Sequence, residues 1–113
     1  MGALNDIQTE LVQTLEAAGL TVTTDPRTLR PGVCLVEPPR VTGVSANLSE
    51  VEWDVAVTAL PPGDATAVSI LLDVVDVIVA AVPVTTANPG TYESGGQVLP
   101  AYTATVRYTI RRT

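Results

Sequence analysis

The carboxylates of one predicted strand are the side chains in this 113-residue sequence whose spacing could support chemistry. Glu50, Glu52 and Asp54 alternate with apolar residues, so they lie on one face of an extended segment. Carboxylates grouped in this way can bind Ca²⁺ or act as a general acid and base. A solvated or arginine-paired strand face is the simpler alternative, and we favour it because no buried neighbour indicates a shifted pKa.

Other residues that usually carry catalysis are absent or poorly placed. The chain has no histidine, which excludes the usual zinc sites and the nucleophile pairs built on histidine. Gly95 and Gly96 have neither the spacing nor the lysine of a phosphate-binding loop. Cys34 has apolar neighbours and no basic one, so we expect a small buried residue and not a reactive thiol. These observations predict no enzyme activity and no cofactor.

A second pair of carboxylates, Asp73 and Asp76, lies on a predicted helix at residues 65–82. With Ser69 they occur at steps of four and three, which confines them to an arc of about 60°. The rest of this helix is apolar over nearly twice the roughly 100° that an ordinary surface helix buries. The two aspartates could be ligands or could face an arginine of a neighbouring subunit, whereas the exposed edge of the helix is the simpler interpretation.

Composition favours association with other protein. Charged residues make up 16% of the chain, against a typical value of about 25%. A small domain with so few charges has surface suited to contact with another subunit. The net charge of −6, the absence of lysine and the scattered arginines argue against nucleic-acid binding as the main function and against a membrane-surface role. We expect one domain over residues 1–113, without a signal peptide and made in a cytosol.

The predicted elements give an α+β fold. Amphipathic periodicity predicts helices at residues 5–18 and 65–82, the second capped by Asp64 and ended before Pro83. Strands are predicted at residues 20–24, 33–37, 50–60, 84–93 and 101–111, and residues 40–48 are expected to be a loop or a frayed strand continuation. The order α-β-β-β-α-β-β predicts a mostly antiparallel sheet with two helices packed on one face.

Within the strand at residues 50–60, alternation predicts one buried and one solvated face. Trp53 is expected in the core beneath the long helix, and Ala56 and Thr58 are expected on the solvated face. Residues 94–96 form a predicted flexible hairpin tip. Tyr92, Tyr102 and Tyr108 suit interface anchors or the edge of the core equally well, and Arg107, Arg111 and Arg112 form a small basic edge. The candidate interface residues are therefore Asp73, Asp76, Glu52, Asp54, Arg107, Arg111, Tyr92, Gly95 and Gly96.

Four stretches in order resemble the tail terminator proteins of long-tailed (siphovirus-type) bacteriophages, especially those of actinobacterial hosts. They are the N-terminal helix running into LTVTTDPR, then PGVCLVEPPRV, then the acidic strand leading into PPGDATAVSILLDVVDVIVAAV, and finally NPGTYESGGQVLPAYTATVRYTIRR. The resemblance covers nearly the whole chain in length and element order. The lysine-free composition is also typical of a GC-rich genome.

The resemblance implies a structural subunit of a hexameric ring, without enzyme activity or cofactor. Such a ring caps the tail tube, stops its polymerisation and provides the surface that joins the head. The implied partners are further copies of the chain, the major tail tube protein and a head-completion or connector protein, with DNA only passing through the lumen. The implied location is the head-proximal end of the virion tail, assembled in the host cytoplasm.

Three alternatives stay open at this point. Head-completion and tail-completion proteins share the fold of the resembled family, so fold alone does not separate them. A small cellular binding module belongs to a different class. An enzyme that uses Glu50, Glu52 and Asp54 ranks last, because no nucleophile, histidine or phosphate loop supports it.

Overall fold

A six-stranded sheet and two helices form the part of the protein that a computed structural model describes, residues 3–28, 30, 32–45, 47–59, 65–94 and 96–111. The predicted N-cap Asp64, the predicted strand end at Leu60 and the tip residue Gly95 lie outside these described residues. The elements are helix α1 (Ala3–Ala17), strand β1 (Val22–Thr23), a 3-10 turn (Pro26–Thr28), strands β2 (Cys34–Val36), β3 (Arg40–Ser45) and β4 (Leu48–Thr58), helix α2 (Ala65–Ala81), and strands β5 (Val84–Ser94) and β6 (Gln97–Arg111).

The sheet is mostly antiparallel, which confirms the predicted α+β class. Its strand order is β1-β2-β4-β6-β5, and β3 pairs with β4 outside this path. Strands β4 and β6 pair over their shared length, from Leu48 opposite Arg111 to Thr58 opposite Ala101. The exception to antiparallel pairing is the short pair β1–β2, which is parallel and joined through the 3-10 turn. The predicted order contained neither this turn nor the parallel pair.

Strands β2 and β3 lie along the same side of β4, separated by a bulge at two prolines. Val36 stands opposite Val55 and Arg40 stands opposite Glu52, so three residues on one side face two on the other. Pro38 lies in this interval and has no N–H to donate to a ladder. The segment expected to be a loop or frayed continuation therefore re-forms a strand, because the bulge absorbs the residues that cannot pair.

Both helices contribute to one hydrophobic core. Leu11 and Leu15 of α1 and Leu71 and Ile78 of α2 join the cluster formed by the inward side chains of β4, among which Trp53 is fully buried. The buried indole Nε1 of Trp53 donates a hydrogen bond to Gln8 Oε1 of α1 at 3.2 Å. Its ring meets that of Tyr108 edge-on, with centroids 5.7 Å apart at an angle of 84°. Trp53 is thus hydrogen-bonded to the first helix, α1, whereas the sequence predicted a position beneath the long helix, α2.

The outer face of the sheet, opposite this core, is only partly solvated. Glu50, Glu52 and Asp54 are half-buried, but the next two side chains on that face, Ala56 and Thr58, are fully buried. The expectation that Ala56 and Thr58 are solvated is therefore wrong. Leu35 of β2 and Tyr92 of β5 form a second, small cluster with Ala56.

The far end of the β5–β6 hairpin explains this second cluster. Tyr92 pairs with Leu99, beyond the point where β4 stops opposite Ala101. Its contact with Ala56 and Leu35 therefore requires the hairpin to curl across the outer face, as strongly twisted two-stranded ribbons do.

Neither described helix combines the length and the apolar character needed to cross a bilayer.

Candidate functional site

The outer face of the sheet carries a cluster of charged side chains that pair with one another. The register places Asp54 opposite Thr105 and Glu52 opposite both Arg107 and Arg40, and direct partners point to the same face. The Arg40 guanidinium donates to both carboxylate oxygens of Asp54, with Nη2–Oδ1 at 3.2 Å, and Thr105 Oγ1 donates to Oδ1 at 2.9 Å. Arg107 Nη2 lies 3.2 Å from Glu52 Oε2, and Arg40 Nη2 lies 3.9 Å from Glu52 Oε1.

Electrostatics in this cluster favour the ionised pairs. The hydrogen bond from Arg40, followed by that from Thr105, holds the pKa of Asp54 below its usual value despite partial burial. The pKa of Arg40 is raised by the same pair. Glu37 is the exception, because burial and the nearby charge of Asp54 raise its pKa. Two of the three carboxylates predicted as acid–base or Ca²⁺ candidates, Glu52 and Asp54, are thus neutralised by arginines of their own chain, whereas no described arginine pairs with Glu50.

An open cleft of about 270 Å³ lies between this cluster and the curled hairpin. It is lined by Thr24, Pro26, Leu35, Glu37, Pro38, Arg40, Asp54 and Tyr92. Its strongest polar groups, Arg40 and Asp54, are already bonded to each other. Among the residues that the structure describes, no group of three potential ligands could hold a metal ion. The cleft is therefore polar, and the charges of Arg40 and Asp54 in its lining are paired with each other.

Cys34 lies in the core and not in this cleft. Its side chain is fully buried between β1 and β4, and burial raises the pKa of the thiol to about 11. A thiol with so high a pKa is a poor nucleophile at neutral pH. The residue therefore packs as a small apolar side chain, as the sequence predicted.

Helix α2 exposes part of its apolar surface, which the sequence predicted to be wider than an ordinary surface helix buries. Leu71, Val75, Ile78 and Val82 are buried and follow helical spacing. Val68, Leu72 and Val79 are 42%, 45% and 52% exposed and lie within about 40° of one another on one flank of the helix. We call this flank, with Asp76 beside it, the α2 patch. Ile70, 50% exposed, lies on the opposite flank.

The helices also concentrate the negative charge of the protein. Asp73 and Asp76 are exposed, and neither is in an ion pair with another described residue. Neither α1 nor α2 contains an arginine or a lysine. The two helices together carry five of the twelve acidic residues, namely Asp6, Glu10, Glu16, Asp73 and Asp76. The α2 patch is therefore apolar and lies in an acidic layer.

A second exposed apolar surface lies at strand β3. All six residues of β3 are exposed, and the strand pairs with β4 along one edge. Val41 and Val44 are 48% and 54% exposed. We call β3, with these two valines, the β3 edge patch. Arg111 is exposed at the same end of the sheet. It pairs with Leu48 of β4, and Leu48 pairs on its other side with Ser45 of β3.

The β5–β6 hairpin forms an arm that extends past the end of β4. Ser94 pairs with Gln97 at the end of the hairpin, and Gly96 between them has a φ of +81°. This is the left-handed region that favours glycine. Val98 beside the turn is 57% exposed, whereas Leu99 is buried. The hairpin tip thus occurs at the predicted place, and its flank is apolar.

The structure brings some predicted interface residues together and separates others. Glu52, Asp54 and Arg107 belong to one cluster, whereas Asp73 and Asp76 lie on α2 and Tyr92 packs over the outer face. The sequence pattern does not single out Arg40 and Thr105, because their role depends on strand register across distant segments. Nor does it single out Val41 and Val44, because the two prolines before them indicate a loop. A β-branched pattern in residues 40–45 was the available signal.

These features are surfaces suited to contact with other protein, together with a cluster of charges that are satisfied within the chain. A scan against protein-family models and a search of curated proteins both find no match for this chain.

Proposed function

We propose that this protein is a structural subunit of a phage tail, which forms a ring that caps the tail tube and ends its polymerisation. The observation that carries the proposal is the α2 patch, three aliphatic side chains exposed along one flank of a helix on a chain with few charges. Single exposed hydrophobic residues are common, but a contiguous group is typical of a surface that meets another protein. The resemblance of the sequence to tail terminator proteins supplies the identity of the assembly.

The elongated shape supports the same proposal. The described chain measures 49 × 28 × 21 Å, with a radius of gyration of 14.6 Å. A compact chain of this length has a radius near 13 Å. The β5–β6 arm extends past the end of β4 and exposes Val98 near its tip, which suits docking to a neighbouring tube or head component.

The proposed partners are other copies of the chain in a hexameric ring, the major tail tube protein, and a head-completion or connector protein. DNA passes through the lumen without specific binding. If the acidic helices line this channel, they repel the phosphates and prevent the DNA from adhering. The proposed location is the head-proximal end of the tail, after assembly in the host cytoplasm.

The test measures tube length in the presence of the protein. Tube protein from the same genome is polymerised with and without this chain, and both samples are imaged by negative stain. We expect rings of one size and tubes that stop growing when a ring sits on one end. A strict monomer at high concentration contradicts the proposal. Rings that bind heads but leave tube length unregulated favour a head-completion or tail-completion protein.

A variant of the arm separates docking from ring formation. Val98→Glu places a charge on an exposed side chain outside the core and outside the α2 patch. We expect the variant to fold and to form rings, but to cap tubes poorly because the arm no longer presents an apolar flank. If Val98→Glu caps tubes as well as the unmodified chain does, the arm is only a connector.

A further inference from the structure

We infer that the α2 patch of one copy binds the β3 edge patch of a second copy, so that subunits join head-to-tail. This inference rests on the proposed assembly and names the two surfaces that would form each junction. Both patches expose aliphatic side chains of similar size, Leu72 with Val68 and Val79 on one and Val41 with Val44 on the other.

The two patches are different surfaces of the chain. Strand β3 pairs with the side of β4 that faces away from β6. Helix α2 packs on the core face of the sheet, mainly against β6, and also contacts β4 and β5. A contact between two different surfaces of a molecule repeats from copy to copy, and it closes into a ring when the rotation allows.

The charges near the two patches differ. Asp73 and Asp76 lie to one side of the α2 patch, and α2 carries no basic residue. Near β3 the charges are of both signs, because Glu50 lies opposite Thr42 and the exposed Arg111 lies about two strand spacings, or roughly 10 Å, from Ser45. No described residue forms an ion pair with Arg111. An approaching α2 therefore brings carboxylates towards an available guanidinium, whereas two α2 patches facing each other would bring four carboxylates together.

The backbone of β3 gives a further reason for a cover. An exposed strand edge invites uncontrolled pairing, and proteins protect such edges with proline, with charges, with bulges or with a covering helix. The outer strand β5 has Pro89 in its middle. Strand β3 has no proline, but it has Arg40 at its first residue and a bulge between Gly43 and Ser45, so Val41 and Thr42 between them carry no such device. A helix from the next copy would cover this part of the edge.

The test uses two variants that each disable one patch. Leu72→Glu places a carboxylate in the α2 patch, and Val44→Glu places one in the β3 edge patch. Both side chains are about half-exposed, so the fold tolerates the changes. A charge buried in an apolar contact weakens each junction roughly 100-fold or more. We expect each variant alone to sediment as a monomer at concentrations where the unmodified chain assembles.

The decisive measurement is sedimentation velocity of the two variants mixed in equal amounts. Each retains one intact patch, so one α2 patch can still meet one β3 edge patch. We expect a dimer that grows no further, because the second junction would place two glutamates opposite each other. Val98→Glu, which alters neither patch, should assemble as the unmodified chain does.

Three results overturn the inference. In the first, Val44→Glu assembles normally while Leu72→Glu does not, which indicates a contact between two α2 patches. In the second, the mixture stays monomeric. In the third, the unmodified chain is itself monomeric, which also contradicts the proposed function. Rings that form through these patches but fail to cap tubes contradict the proposed function and leave the head-to-tail junction intact.

Discussion

At the scale of single residues, Asp54 ties the outer face of the sheet together. Its carboxylate accepts hydrogen bonds from Arg40 of β3 and Thr105 of β6, so it links three neighbouring strands. Its side chain is 19% exposed, while that of Arg40 is 55% exposed, and solvent screens the pair accordingly. The cluster stabilises the fold and is not arranged for acid–base chemistry.

Replacing Asp54 by Asn should lower stability in a pH-dependent way. The pKa of Asp54 lies below its ordinary value of 3.8 in the folded protein, so its charge stabilises the fold above that value. This stabilisation is lost as the pH falls through the lowered pKa. We expect Asp54→Asn to cost about 1 kcal/mol at pH 7 and progressively less below pH 4. Urea unfolding of both proteins at pH 7 and at pH 3 measures the difference, and an equal loss at both values would contradict the role of the charge.

Two threonines that differ in hydrogen bonding provide a matched pair. The hydroxyl of Thr58 is buried with no hydrogen-bond partner among the described residues, whereas that of Thr105 donates to Asp54. We expect Thr58→Val to raise the free energy of unfolding by about 1 kcal/mol, because it removes an unsatisfied polar group. Thr105→Val should lower it by a similar amount. Chemical denaturation of both variants checks the signs, and a loss at Thr58 would show that its hydroxyl has a partner.

At the scale of elements, α2 shows how one apolar helix divides between core and surface. Leu71 and Leu72 are neighbours in sequence, yet Leu71 is 2% exposed and Leu72 is 45% exposed. The difference follows from the 100° step between consecutive helical residues, which turns one side chain to the sheet and the next away from it. Hydrophobicity alone gives both residues the same expected burial.

Aspartate at these two positions should therefore have very different effects. Leu71→Asp buries an unpaired charge and should cost about 4 kcal/mol or more, a large part of the roughly 5–15 kcal/mol that stabilises an ordinary domain. Leu72→Asp should change the stability of the isolated subunit by less than about 1 kcal/mol. Circular dichroism of dilute samples during thermal unfolding distinguishes them, and equal destabilisation would mean that Leu72 is buried within the subunit.

At the scale of the whole molecule, the protein has two unlike apolar surfaces and an uneven charge distribution. The two helices carry five carboxylates without a basic residue, while the six arginines lie in the strands, loops and C-terminal segment. In the proposed assembly, such polarity would orient one copy against the next and would penalise the reversed arrangement through repulsion of like charges.

Assembly should couple stability to concentration. If folded subunits associate and unfolded chains do not, mass action raises the Tm as protein concentration rises. We expect the Tm of the unmodified chain to increase over a hundredfold range of concentration, and that of Leu72→Glu to stay constant. Differential scanning calorimetry measures both. A constant Tm for the unmodified chain would contradict association in this range.

The sequence alone determined the elements whose periodicity is long and regular. Helix α2, strands β4 and β6 and the hairpin turn near Gly96 all occur within a few residues of their predicted positions, because each depends on local spacing or local backbone conformation. The sequence also predicts the acidic face of β4, since alternation determines which side chains of a strand share a face.

Only the tertiary structure decided which distant residues meet. The pairing of Asp54 with Arg40 and Thr105 depends on strand register and on the bulge at Pro38, which local sequence does not encode. Burial of Ala56 required the hairpin to curl over the outer face, and exposure of Leu72 required the sheet to cover just one side of α2. These outcomes depend on contacts between segments far apart in the chain, so composition and periodicity leave them open.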